Sequence, residues 1–397
     1  MTVTMLLRDT AKITALTRLG RSLVSWWEIP AFVMLRRGDL PRFAHGIATS
    51  ARQLVAAVAR LNDAEPMWDT DYSLQPTDFQ RRLETLTSLR DSDESGKIAD
   101  ALIEETLGLM ARYGVPDVNS RLGRWTGDSL PTPMSIDGAV DIACTVFERG
   151  RSIGAVAALV ADSWARGTAD DASDIDVRII VRHNPTLEMR RRYLEPLVAG
   201  NIRQYGDEAY ITADQFVLAD RKVDVKYHTI DRLHSALRDP FRIGGPIDLL
   251  ELFDTHVVAT DPFDGAAELM NVSNVNLRAR SSEVAEVSLN ALREITSTIP
   301  SCGTVSEAMT LVLGPGFEYL VRVWAGLNGR IHAFPKWLDL VTGEFAIGPF
   351  DAQTRVKSIC TSPWDEPSFS QRIREWNDLV EEFSLLAQRN RLGGRLL

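Results

Sequence analysis

Two hydrophobic periods share this chain. From Ala11 to Tyr113 apolar side chains recur at helical spacing, and Ala51 to Leu61, Phe79 to Leu89 and Ile98 to Met110 each present one apolar face. Gly114 to Pro133, rich in Pro, Gly, Asp and Ser, reads as a linker, and a helix is predicted from Ile136 to Arg149, ending at Gly150. There the pattern changes. Gly154 to Ala161 is a continuous apolar run, as in a buried strand, and Asp174 to Val181 is a second strand. Pro185 opens a helix predicted to reach Ile202, with proline at its start. Gln215 to Leu218 and Lys222 to His228 are β-like runs around a hairpin loop at Ala219-Asp220-Arg221. Beyond Pro240 helical spacing returns at Ile247 to Leu252, Ser281 to Thr298, Ser306 to Leu327 (interrupted near Gly314-Pro315-Gly316) and Glu366 to Ala387. His256 to Thr260 reads as one added strand.

This order of elements predicts an α+β protein: a small mixed β-sheet with its helices, flanked by N-terminal and C-terminal helical domains. The expected boundaries are 1–130, 135–240 and 241–397. A short echo links the two flanks. Leu61-Asn62 is followed by Pro66 and Trp68, and Leu327-Asn328 by Pro335 and Trp337, each set preceding a long amphipathic helix. A duplicated helical module and two unrelated helical stretches both remain compatible with so short a match.

The chemistry gathers between Leu159 and Val181 (LVADSWARGTADDASDIDVRIIV). In a strand, residues two apart share a face, so Ile175 and Val177 turn to the core while Asp174 and Asp176 project together. Two like charges held so close call for a cation between them, and an oxygen-only donor set suits Mg²⁺. The turn at Ser163 offers a hydroxyl and backbone N–H groups at a helix start, a seat for phosphate. A third carboxylate completes a site for phosphoryl chemistry, and Asp224, in Lys222-Val223-Asp224-Val225-Lys226, is the candidate if its strand lies beside the first pair. Arg178, Lys222 and Lys226 fall on the same faces as these acids and could offset triphosphate charge, or could be ordinary solvated strand-face charge.

Composition narrows the field. At 397 residues with 45% hydrophobic and 25% charged side chains, the chain has room for two or three cored domains. A net charge of −10 argues against a nucleic-acid polymer as substrate. No apolar run approaches the ~18–20 residues of a membrane helix. Arg8 interrupts the first apolar stretch too early for a good signal peptide, so a cytoplasmic location is expected. Three widely spaced cysteines form neither a metal motif nor a disulfide framework, and the six histidines have no ligand spacing. Met189 to Arg192 (MRRR) is expected on the solvated face of a helix, and the tryptophans in cores.

DSWARGTADDASDID, with Val223-Asp224-Val225 downstream, resembles the signature of the DNA polymerase β-like nucleotidyltransferase superfamily, and within it the small-molecule branch of aminoglycoside and lincosamide nucleotidyltransferases. The resemblance covers Ile136 to His228 and continues weakly through Trp324 to Trp337. It implies a Mg²⁺-dependent transfer of a nucleoside monophosphate, AMP by family habit, from a nucleoside triphosphate such as ATP to a hydroxyl of a small molecule, with release of pyrophosphate. A protein-modifying adenylyltransferase and a degenerate nucleotide- or partner-binding protein are the alternatives, and the expected assembly is a monomer or homodimer. By the same resemblance Ser163 contacts triphosphate, Asp174 and Asp176 bind metal, and Asp224 binds metal or helps deprotonate the acceptor. Arg166 and Gly167 shape the motif, although Arg166 could equally make a structural ion pair. One position departs: the family's glycine before the serine is Asp162 here. Its benign role would be an N-cap for the turn at Trp164, and its sharper role a specialised nucleotide seat.

Overall fold

The computed structural model describes residues 134–170, 173–198, 202–205, 212–238, 256–260, 274–331, 345–362 and 364–393, with short pieces at 41–46, 48–49, 52, 252–253, 270 and 342–343. The helices expected from Phe79 to Leu89 and Ile98 to Met110, all but Arg52 of the one at Ala51 to Leu61, the linker, and the front landmarks of the proposed duplication lie outside them, as do Trp26, Trp27 and Trp337.

The chain is α+β. Helix α1 (Ile136–Gly150) starts at Ser135, whose side chain accepts from the Gly138 N–H, and leads through a 3-10 turn into strand β1 (Ala155–Ala161). A four-residue helix α2 (Asp162–Ala165) and a loop separate it from β2 (Ile175–Val181). Then come α3 (Leu187–Leu194), β3 (Arg203–Tyr205), β4 (Ala213–Leu218), β5 (Arg221–Thr229) and α4 (Ile230–Arg238), and later β6 (His256–Thr260). The six strands form one mixed sheet in the order β3-β4-β5-β2-β1-β6. Only β2 and β5 pair in parallel; the other neighbours are antiparallel.

Alternation sorts the two faces. Ile175, Val177 and Ile179 of β2 and Val223, Val225 and Tyr227 of β5 join Ala139, Ala143, Val146 and Phe147 of α1 in one buried cluster. This leaves Asp176, Arg178, Asp224 and Lys226 on the opposite face. The hairpin between β4 and β5 is tighter than expected. Arg221 already pairs with Leu218, and Ala219 and Asp220 alone make the turn, with φ of 51° and 58°. Positive φ at both central residues matches the right-handed twist of the strands.

Two expectations are corrected. The MRRR segment is not uniformly solvated: Arg190 is fully buried. Its Nη1 donates to Asp214 Oδ1 at 2.6 Å and to the Ala213 carbonyl at 2.8 Å. The Tyr227 hydroxyl donates to Asp214 Oδ2 at 2.7 Å and bonds the Tyr193 hydroxyl. Helix α3 is thereby fastened to β4 and β5, while Arg191 and Arg192 do face solvent beside Glu195 and Glu188. The second correction concerns the boundary at 240. Strand β6 covers the free edge of β1, Ala161 opposite His256 and Val160 opposite Val257, so the sheet-bearing unit comprises Arg121–Ser281 with Gly329–Ala333.

The remaining described residues belong to a second unit. After β6 come α5 (Asn274–Thr298), α6 (Val305–Leu311), α7 (Phe317–Leu327), α8 (Ala352–Thr361) and α9 (Glu366–Gly393), and the core of the second unit packs Phe317 and Trp324 of α7 with Trp376 and Phe383 of α9. Just before α7, the chain widens into a π-turn at Val312–Gly316, where Pro315 removes an N–H and Gly314 leaves helical geometry. His45 Nδ1 supplies a donor there, to the Leu313 and Gly314 carbonyls at 3.0 and 3.1 Å. Among the described residues no helix is long and apolar enough to cross a membrane.

Asp214→Ala leaves the Arg190 guanidinium buried without its carboxylate. The variant is expected to lose about 3–5 kcal/mol of unfolding free energy, read by urea denaturation; a loss within error would show the buried pair to be dispensable.

Candidate active site

The site is built on the parallel pair. In the β2–β5 register Asp176 lies directly opposite Asp224, and Arg178 opposite Lys226. Asp174 immediately precedes β2. On the far side of β5, Gln215 of β4 is the partner of Asp224, and its Nε2 donates to Asp224 Oδ2 at 3.1 Å. Lys222, two residues before Asp224 on the same face, places Nζ 3.1 Å from Asp174 Oδ2 and 3.2 Å from Asp224 Oδ2. Two acids from separate parts of the chain therefore share one ammonium. Burial opposes the charge on Lys222, but Asp224 and Asp174 outweigh it and hold the ammonium well above its ordinary range.

Asp176 lies deeper. Its Oδ1 is 3.4 Å from Arg178 Nη1 and 3.9 Å from Lys226 Nζ. Burial and the neighbouring Asp162 push its carboxyl up to about 7, against the pull of Arg178. Asp224 Oδ1 is buried and has no hydrogen-bond partner among the described residues, an acceptor without a donor there. Among the described residues no three acidic, His or Cys side chains form a ready-made metal cage; protein cations stand between the carboxylates instead.

The turn before β2 is tied to these acids. Ser163 is buried and next to Trp164, whose indole donates to the Asp174 carbonyl at 2.9 Å. Arg221, at the start of β5, lies over the Trp164 ring at 5.9 Å. One aromatic side chain thus couples the motif turn, the loop into β2 and the start of β5. Gly167 has φ of 70°, which favours glycine, and its N–H reaches the Trp164 carbonyl at 3.2 Å. The loop closes where Ser173 Oγ donates to Asp170 Oδ1 at 3.0 Å. Arg166 does make an ion pair, at 3.7 Å to Asp162.

Asp162 does not cap the turn. The N-cap position of α2 is Ala161 and Asp162 is the first helical residue, where it takes the left-handed backbone that suits glycine, φ of 58°. Its carboxylate is directed at Arg178 instead, accepting from Nη2 at 2.7 Å. Of the residues singled out in the sequence, Ser163, Asp174, Asp176, Asp224, Arg166, Gly167, Arg178, Lys222 and Lys226 all fall on this face of the sheet or in the turn beside it. Trp164, Gln215 and Arg221 were missed. The signal for Gln215 was the hairpin register: a two-residue turn places it opposite Asp224, whereas the three-residue loop that was read shifts the pairing.

No family model and no curated protein matches the chain. Among solved structures it is similar to a nucleotidyltransferase-like protein from Exiguobacterium sibiricum, at 14% identity and a TM-score of 0.33, over 65% of this chain and 77% of that one.

The raised pKa of Asp176 has a measurable sign. Between about pH 4 and pH 7 the folded metal-free protein keeps a proton that the unfolded chain releases, so this group makes stability fall as pH rises through that window and level off above it. Asp176→Asn removes that slope. Melting temperatures of variant and parent in chelator are expected to draw apart in the variant's favour from pH 4 to pH 7, by a few degrees, on the order of 4 kcal/mol for a shift of this size; a constant difference would show that Asp176 is not the titrating group.

Proposed function

We propose that this chain is a Mg²⁺-dependent nucleotidyltransferase that moves a nucleoside monophosphate, most simply AMP from ATP, onto a hydroxyl of a small molecule and releases pyrophosphate. The observation that carries the reading is the in-register pairing of Asp176 with Asp224, with Asp174 and Asp224 meeting at Lys222. The donors available to a hard cation are carboxylate oxygens, and the unpartnered Asp224 Oδ1 is the kind of acceptor such an ion satisfies. Asp174, Asp176 and Asp224 are the residues that would hold it. When bound, Mg²⁺ supplies Lewis-acid charge to the phosphate oxygens and the leaving pyrophosphate.

The chain's own groups do the rest. Ser163 and the turn around it seat the triphosphate. Lys222, Lys226 and Arg178 offset its charge, each already held beside an aspartate and free to exchange one anion for another. Trp164 and Arg221 fix the loop that carries Asp174. The acceptor oxygen attacks the α-phosphorus, the bond to the bridging oxygen breaks, and pyrophosphate leaves with the electron pair. The hydroxyl proton passes to Asp224 and from there to solvent.

A second reading, nucleotide binding without turnover, is favoured by one observation, the Asp162 carboxylate beside the phosphate seat. Pyrophosphate release separates the two. Incubated with Mg²⁺, each of the four nucleoside triphosphates and pools of hydroxyl-bearing metabolites, the protein is expected to release pyrophosphate from at least one. Asp176→Asn should lower that rate by at least about a hundredfold, in the range of removing one electrostatic contributor. No release from any nucleotide, with binding indifferent to Asp176→Asn, would overturn the enzymatic reading.

A further inference from the structure

Asp162 is costly where it stands. A side chain at φ of 58° is strained relative to glycine, although aspartate tolerates this region better than most residues. Its carboxylate then adds negative charge beside Asp176, already the most deeply buried acid of the site. In return it makes one short, charge-assisted bond, 2.7 Å to Arg178 Nη2, and stands 3.7 Å from Arg166. Arg178 is itself only 7% exposed and faces Asp176 at 3.4 Å. The guanidinium is thus shared by two carboxylates, one on the strand and one at the turn that precedes Ser163.

We infer that Asp162 is a built-in stand-in for the substrate's phosphate, holding Arg178 until a triphosphate takes its place and thereby making triphosphate binding depend on the metal. The inference rests on the nucleotidyl reading of the same site. An anion arriving at Ser163 competes with Asp162 for Arg178. If it wins, Asp162 is left beside Asp176 with less positive charge between them, and metal-free triphosphate is repelled. An arriving divalent cation removes that repulsion. Anion and metal therefore assist each other, and by linkage each raises the other's affinity by the same factor. Glycine in this position would bind the anion without that condition.

The test is calorimetric titration of the full chain with inorganic triphosphate, which carries the chemistry common to all four nucleotides, once in chelator and once in Mg²⁺. The parent, Asp162→Asn and Asp162→Gly are compared, with thermal melts to verify folding. Asparagine keeps a side chain at the positive-φ position and removes only the charge. Both variants are expected to bind metal-free triphosphate about tenfold more tightly than the parent, and to show a correspondingly smaller gain on adding Mg²⁺, a shift within the usual span of coupling between sites. If Asp162→Asn leaves the Mg²⁺ gain of the parent unchanged, the inference fails while the nucleotidyl reading stands. The inference also fails if glycine alone changes affinity, because the effect is then conformational. If triphosphate binds none of the three proteins with or without Mg²⁺, the inference and the reading beneath it fall together.

Discussion

The parallel pairing of β2 with β5 is the constraint on which the site depends. Parallel strands keep one register along their length, so placing Ile175 beside Val223 also places Asp176 beside Asp224 and Arg178 beside Lys226. What holds the register is the other face of the same strands. Ile175, Val177 and Val181 of β2, and Val223, Val225 and Tyr227 of β5, are each buried with no more than 1% exposure. A slip of one residue would turn all of them to the polar face and drive the charged side chains into the apolar core. The polar geometry is thus set by hydrophobic burial on the reverse side.

The same arrangement explains why the site carries so many cations. Acids brought together by the sheet repel one another, and a buried carboxylate is also desolvated. Lys222, Lys226 and Arg178 come from the same strands at two-residue spacing, so they share a face with the acids they offset. The network of Arg190, Asp214, Tyr193 and Tyr227 anchors β4 and β5 from behind. Trp164 and Arg221 anchor the turn and the loop from the side. The clustered acids are mutually destabilising, and their surroundings hold them in place.

How much of this was legible follows from the range of each signal. Strand period two exposed the acids and placed Val223 and Val225 at their backs, because alternation is a local property of the sequence. That Asp224 lies beside Asp176 is not local; it followed only on the condition that the two strands are neighbours. The hairpin was read one residue too long because Ala219 is not a residue type that advertises positive φ, and the error concealed Gln215. Arg190 sits in a run of arginines, and only the partner Asp214, 24 residues away, decides which of them turns inward. Strand β3, three residues long, and α8 (Ala352–Thr361) carry too little periodic signal to be seen. Asp162 was recognised as a departure, but its role depends on Arg178, which is close in space and sixteen residues away in sequence.

The central claim is that acids from β2 and β5 act as one cation site. Mn²⁺ serves as a paramagnetic reporter for Mg²⁺, and titrating it into the protein while following the free-ion resonance reads the claim directly. The account predicts a bound ion that is lost equally in Asp176→Asn and in Asp224→Asn and is kept in Asp220→Asn, an exposed hairpin aspartate carrying the same change of charge. Mn²⁺ binding that survives either of the first two substitutions would contradict it.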